Sequence, residues 1–190
     1  SIPLQYAGRF DEADARIRKA IEIDPSMPSS YRQLGLLRAY SMNRFAEAVP
    51  LLAKAVELDP DSSSYPCFQA SFNLELDNVT EATRIIEAAM RRWPDDACLL
   101  ALSSSAHEYR GDQKAALRDA RRLLELDPTD LGALAVLRDA DLQAGQPQLA
   151  LARYAKAYPE LLASESARLE SSNWFVALDL VLALQNAGDS

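Results

Sequence analysis

The chain repeats one sentence at a fixed step. Phe45, Glu47, Ala48, Leu52 and Ala55 run into Glu57-Leu58-Asp59-Pro60. Upstream the same order reads Phe10, Glu12, Ala13, Ile17, Ala20 and Asp24-Pro25, and downstream Val79, Glu81, Ala82, Ile86, Ala89 and Trp93-Pro94. A fourth copy is Gln113, Ala115, Ala116, Ala120, Leu123 and Asp127-Pro128. The closing prolines fall at 25, 60, 94 and 128, steps of 35, 34 and 34. A period near 34 with two helical stretches per unit implies a helical solenoid, in which each unit contacts mainly its neighbours. Pairs such as Ala48/Ala55 and Ala82/Ala89 lie seven apart, so they share a helix face where small side chains allow close packing.

The helix boundaries follow from local signals. Each Asp-Pro closes a trailing helix, because the residue before proline is pushed out of helical geometry. Gly8-Arg9, Asp77-Asn78, Gly111-Asp112 and Gly145-Gln146 read as the turns inside units. Leading helices are expected over 28–40, 63–76, 97–109 and 131–144. Trailing helices are expected over 11–23, 45–58, 79–93, 113–126 and from 147, the last with Ala150, Tyr154 and Ala157 inward. Ser1 to Ala7 reads as the end of a first leading helix. Ser62 or Ser63 and Asp95 or Asp96 are candidate caps. Pro66 fits a first helical turn, and Pro50 forfeits one hydrogen bond and bends its helix.

Tyr31, then Leu34-Gly35, then Phe45, Ala48, Leu52, Ala55 and Pro60 resemble the tetratricopeptide repeat, with Tyr31 in place of the usual tryptophan. One extra residue lies between Gly35 and Ala48, which accounts for the step of 35. In the next unit Gln69-Ala70 stand where Leu-Gly is usual. The resemblance implies an all-α fold: a right-handed superhelix of antiparallel helix pairs, one solenoid over 1–190. Its parts would be a partial repeat 1–27, repeats 28–62, 63–96, 97–130 and 131–158, and an irregular capping region 159–190. There Trp174 to Leu184 is strongly apolar. It reads as a capping helix or as the leading helix of a sixth unit whose face could pair two copies.

Composition narrows the function. The chain has 190 residues and a net charge of −8, so it repels phosphate backbones and nucleic acid is not an expected partner. Arg91-Arg92 and Arg121-Arg122 sit near helix C-termini, where the helix dipole favours cations. The single histidine, His107, and two cysteines, Cys67 and Cys98, lack the spacing of a metal site. A disulfide between them is not expected, which suggests a reducing, cytoplasmic setting. No apolar run reaches membrane length. The absence of an initial Met and the start in mid-repeat suggest an excised fragment.

No catalytic constellation is found, so no enzyme activity and no cofactor are expected. Asp95/Asp96 read as a cap and Asp139/Asp141 as a solvated face; His107 reads as a packed residue. The resemblance implies instead that the leading helices line a groove for a peptide or helix of a protein partner. The groove positions would be Ser29, Arg32, Leu36 and Tyr40; Ser64, Cys67, Ser71 and Glu75; Cys98, Ala101, Ser105 and Tyr109; and Gly132, Ala135, Asp139 and Gln143. Tyr40, Tyr109 and Arg32 are the candidate anchors. Small residues dominate the stripe, leaving either a deep ligand groove or a surface covered by another segment or a second copy. The lysines and asparagines with which related chaperone-tail binders clamp a terminal carboxylate are missing. A second reading is a regulatory or dimerisation module of a larger bacterial transcription regulator or signalling enzyme, suggested by a loose likeness of the tail from Tyr158 to Leu162 and the Trp174 helix.

Overall fold

The computed structural model describes residues 4–159 together with Asp179, Val181 and Gln185. The described residues form α1 (Leu4–Ile23), α2 (Pro28–Leu36), a π turn (Leu37–Ser41), α3 (Phe45–Leu58), α4 (Ser64–Glu75), α5 (Val79–Met90), α6 (Ala97–Tyr109), α7 (Gln113–Leu126), α8 (Leu131–Gln143) and α9 (Pro147–Ala157). The fold is all-α, built of paired helices as the period requires. Contacts divide the chain after Leu102 into two compact units. The apolar tail from Trp174 to Leu184 lies outside the described residues except at Asp179 and Val181.

Each turn from leading to trailing helix is made the same way. Asn43 (φ 54°), Asp77 (φ 60°), Gly111 (φ 73°) and Gly145 (φ 67°) are left-handed, and 77 − 43, 111 − 77 and 145 − 111 are all 34. Glycine adopts this conformation freely, and Asn and Asp tolerate it better than other residues. The next N–H then reaches back along the helix: Asn78 to the Asn73 carbonyl, Asp112 to His107 and Gln146 to Asp141, at 2.8, 2.9 and 2.8 Å. This satisfies carbonyls that a helix end leaves open. At the first such turn Arg44 reaches Arg38 instead, at 2.7 Å and one residue further back. The π turn is the reason. It holds the extra residue of the 35 step inside the helix and hands on the turn in register.

The turns between pairs use the aspartate of Asp-Pro. Asp24, Asp59 and Asp127 accept the backbone N–H two residues on, at 3.0, 3.2 and 2.9 Å. The third copy has Trp93 there. Arg92 lies over the Trp93 ring, 4.9 Å from its centroid, and its guanidinium also donates to the Pro60 carbonyl at 2.6 Å. Of the candidate caps, Asp96 accepts the Leu99 N–H at 3.0 Å, whereas Ser63 occupies its cap position without a side-chain bond.

In the first unit, Ala39, Ala48, Leu52 and Phe72 form a closed core. Phe72 meets the rings of Tyr40 and Phe45 edge to face, each at 5.4 Å. A Cβ at Gly35 would touch Leu52 Cγ at 3.4 Å and the Ala48 carbonyl at 3.5 Å. That is room for a methyl group and little more. In the second unit Leu134 and Tyr154 are the centre, with Leu124, Leu131 and Leu151 around them. Tyr154 donates to Asp179 Oδ2 at 2.7 Å. Burial, reinforced by the Asp179 carboxylate, drives the phenol far above its ordinary pKa.

One expected turn is absent. Gly8-Arg9 lies inside α1, which runs unbroken from Leu4. A lone glycine costs a helix about 1 kcal/mol relative to alanine, too little to break it unless a second helix folds back on the first. The register of α1 reflects this. Ala13 and Ile17 are half-buried and Ala20 is exposed, while Asp14 is buried. Arg38 Nε donates to Asp14 Oδ1 at 2.7 Å, and Arg18 Nε lies 2.7 Å from Oδ2. The Arg38 hydrogen bond, acting against burial, holds the Asp14 carboxyl below its usual range.

The packing has two measurable consequences. Ala55 is fully buried, so Ala55→Glu places a charge without a partner between helices and lowers stability by about 3 kcal/mol or more, read as a depressed thermal midpoint and lost helicity. The Asp14 pKa is depressed on folding, so its contribution is complete above about pH 4 and is lost as pH falls through the folded value. Asp14→Asn is therefore expected to cost about 1–3 kcal/mol at neutral pH and to converge with the parent chain in strong acid, measured by urea melts across pH.

Candidate functional site

The leading helices α2, α4, α6 and α8 carry the candidate groove residues. In the first unit Arg32 and Leu36 are half-buried on α2, and Leu36 leans on the Phe72 core. Tyr40 follows on the π turn, 60% exposed although its ring edge meets Phe72. Arg32 has no ion-pair partner among the described residues. On α4, Cys67 is buried, Ser71 half-buried and Glu75 exposed. In the second unit Ser105 is half-buried, Tyr109 is 70% exposed, and Asp139 is exposed on α8. Two tyrosines are thus left open to solvent, one in each unit.

Cys67 and Cys98 are joined as a disulfide with their Cα atoms 6.2 Å apart. This corrects the expectation of two separate thiols. Their separation of 31 residues does not reveal the contact, because it arises only when folding brings α4 to the start of α6. Cys67 is therefore part of the link between two leading helices. It is buried with Leu99 and Ala89, and Trp93 and Leu102 border them.

Buried polar pairs were the least visible feature of the sequence. Asp141, expected on a solvated face, is buried and paired with Arg153. One repeat earlier, at 107 = 141 − 34 and 119 = 153 − 34, stand His107 and Asp119, with His107 Nε2 3.7 Å from the Asp119 carboxylate. The same two positions thus hold a carboxylate and a basic side chain in opposite order. Asp119 also accepts from Ser103 Oγ at 2.6 Å and from Arg118 Nε at 2.9 Å. A serine hydrolase needs serine on histidine and histidine on aspartate. Here Ser103 is buried and donates directly to Asp119, so the three groups are not arranged as that relay. Among the described residues no three His, Cys, Asp or Glu side chains gather as metal ligands. No helix among them is long and apolar enough to cross a membrane.

The profile of the tetratricopeptide repeat matches residues 29–62, the segment that contains the π turn. The chain thus carries a tetratricopeptide repeat over this segment. No curated protein matches the chain. Among solved structures, the MamA protein superposes with a TM-score of 0.71 at 18% identity, over 87% of this chain and 92% of that one. A thermophilic repeat protein from Thermus thermophilus gives 0.68 at 19% identity, over 97% and 95%. A tetratricopeptide repeat protein from Parabacteroides merdae gives 0.71 at 14% identity, over 96% and 68%. At these identities the likeness is one of fold. Tetratricopeptide-repeat folds generally mediate contacts between proteins and are generally non-catalytic.

The disulfide is open to a direct check. Alkylation of the unfolded, unreduced chain is expected to add no label, and alkylation after reduction to add two, as read by intact mass. Two labels without reduction would leave the cysteines as free thiols.

Proposed function

We propose that this chain is a non-catalytic scaffold that binds a peptide or helix of a partner protein on the leading-helix face of its repeats. The observation that carries the reading is the exposure of Tyr40 and Tyr109 on that face. Large aromatic rings left in water on a rigid helix lose little entropy on binding and are common anchors of protein interfaces. Arg32, without an ion-pair partner among the described residues, adds a charge that seeks an acidic or carbonyl group. Small side chains on the leading helices of each unit, such as Ser71 and Ser105, let a partner backbone come close. The chain's acidity argues against a nucleic-acid partner.

Arg32→Ala combined with Tyr109→Ala tests the reading. Both residues lie outside the buried cores, so helicity is expected to stay unchanged. Recovery of the main partner in quantitative affinity capture is expected to fall about tenfold or more, the loss typical of two anchor residues. Undiminished capture would remove the leading-helix face from the function.

A further inference from the structure

The opposite side of the repeats carries a second candidate surface. In the second unit a crevice of about 450 Å³ opens between α7 and α9. Its accessible apolar surface is Leu124, Pro128 and Ala157, backed by the buried Leu134 and Leu137, and its rim carries Arg121, Arg153 and Lys156. On α8, Leu134 and Leu137 lie on the face away from Ala135 and Asp139, since residues two apart on a helix point about 200° apart. The crevice is therefore distinct from the leading-helix face.

The first unit has a crevice in the same register. Val56, Pro60, Pro66 and Gln69 line it. Adding 68, two repeats of 34, gives Leu124, Pro128, Leu134 and Leu137. The two differ in charge balance. The arginines of the first crevice are neutralised within the chain: Arg84 by Glu81 and Arg92 by Asp61. In the second crevice Arg153 is spent on Asp141, and the Glu125 on the rim pairs with Arg122. Arg121 and Lys156 have no acidic partner among the described residues. The Arg121 charge bears on Arg153, whose pKa is lowered first by burial and then by that neighbour. Two uncompensated cations thus stand over an apolar floor in a chain of net charge −8.

We propose that this crevice docks an acidic segment of a partner protein, which lays an apolar side chain over Leu124, Pro128 and Ala157 and sets carboxylates on Arg121 and Lys156. The apolar floor supplies burial, and the cations set orientation and favour anionic partners over cationic ones. Two cations are too few to hold a phosphate backbone against the acidic remainder of the chain. The surface is independent of the one proposed above, so either can fail alone.

The test is fluorescence anisotropy of a fluorescein-labelled synthetic peptide in which leucine alternates with aspartate and glutamate, titrated with the full chain. Saturable binding is expected. Arg121→Glu with Lys156→Glu is expected to weaken it about tenfold or more, as is replacing the peptide's leucines by serine, and added salt is expected to weaken it further. Tyr109→Ala is expected to leave it unchanged. Both charge reversals sit on exposed positions, and unchanged circular dichroism will confirm that the fold survives. Equal binding of a peptide with lysine in place of the acids would overturn the proposal. So would equal binding to the charge-reversed chain, or no binding at all. If the peptide fails and the reversal instead changes the mass measured by light scattering, the crevice is an interface between copies and the proposal is likewise overturned.

Discussion

How closely two helices can approach governs everything else in this protein. Ala48, Ala82, Ala116 and Ala150 stand 34 residues apart and are at most 1% exposed. Each sits on a trailing helix, where a larger side chain would hold the neighbours apart. Around them Leu52, Ile86 and Tyr154 fill the remaining space. Interiors packed to crystal density tolerate no gap there. A helix pair of this size buries too little to be stable alone, so each pair depends on the next.

Close approach is useful only if the chain reverses in register. The left-handed residue at 43, 77, 111 and 145 provides this, each time with a hydrogen bond reaching back into the preceding helix. Three residue types fill the four places, which shows that the backbone conformation is required and glycine itself is not. Between pairs, the aspartate of Asp-Pro does similar work by accepting a nearby N–H. Where Trp93 replaces it, Arg92 covers the ring and binds the previous turn.

Most helix limits could be read from prolines, glycines and the alanine spacing, because those signals act within a few residues. The limits of α6 and α7 are those the sequence predicts. Gly8 misled for the same reason: its local signal is weak, and whether a glycine turns or stays helical depends on what folds back onto it. Asp141 read as solvated because its partner, Arg153, lies on another helix. The Cys67–Cys98 link was not expected on similar grounds. For the candidate sites, the positions on the leading-helix face came from the resemblance, and the structure adds their exposure. The crevice over Leu134 was not legible. Arg121 looked like an ordinary cation at a helix end, and only the folded unit brings it near Arg153 and Lys156.

The π turn at Leu37–Ser41 has a wider consequence. An inserted residue usually rotates everything after it by about 100° on a helix. Here the surplus is taken up within five residues, and the left-handed turn at Asn43 leads a series that keeps its stride to Gly145. Lengthening one module therefore leaves its successors undisturbed. Such an array behaves like interchangeable cassettes, in which a single member drifts in length and surface while the others keep their places.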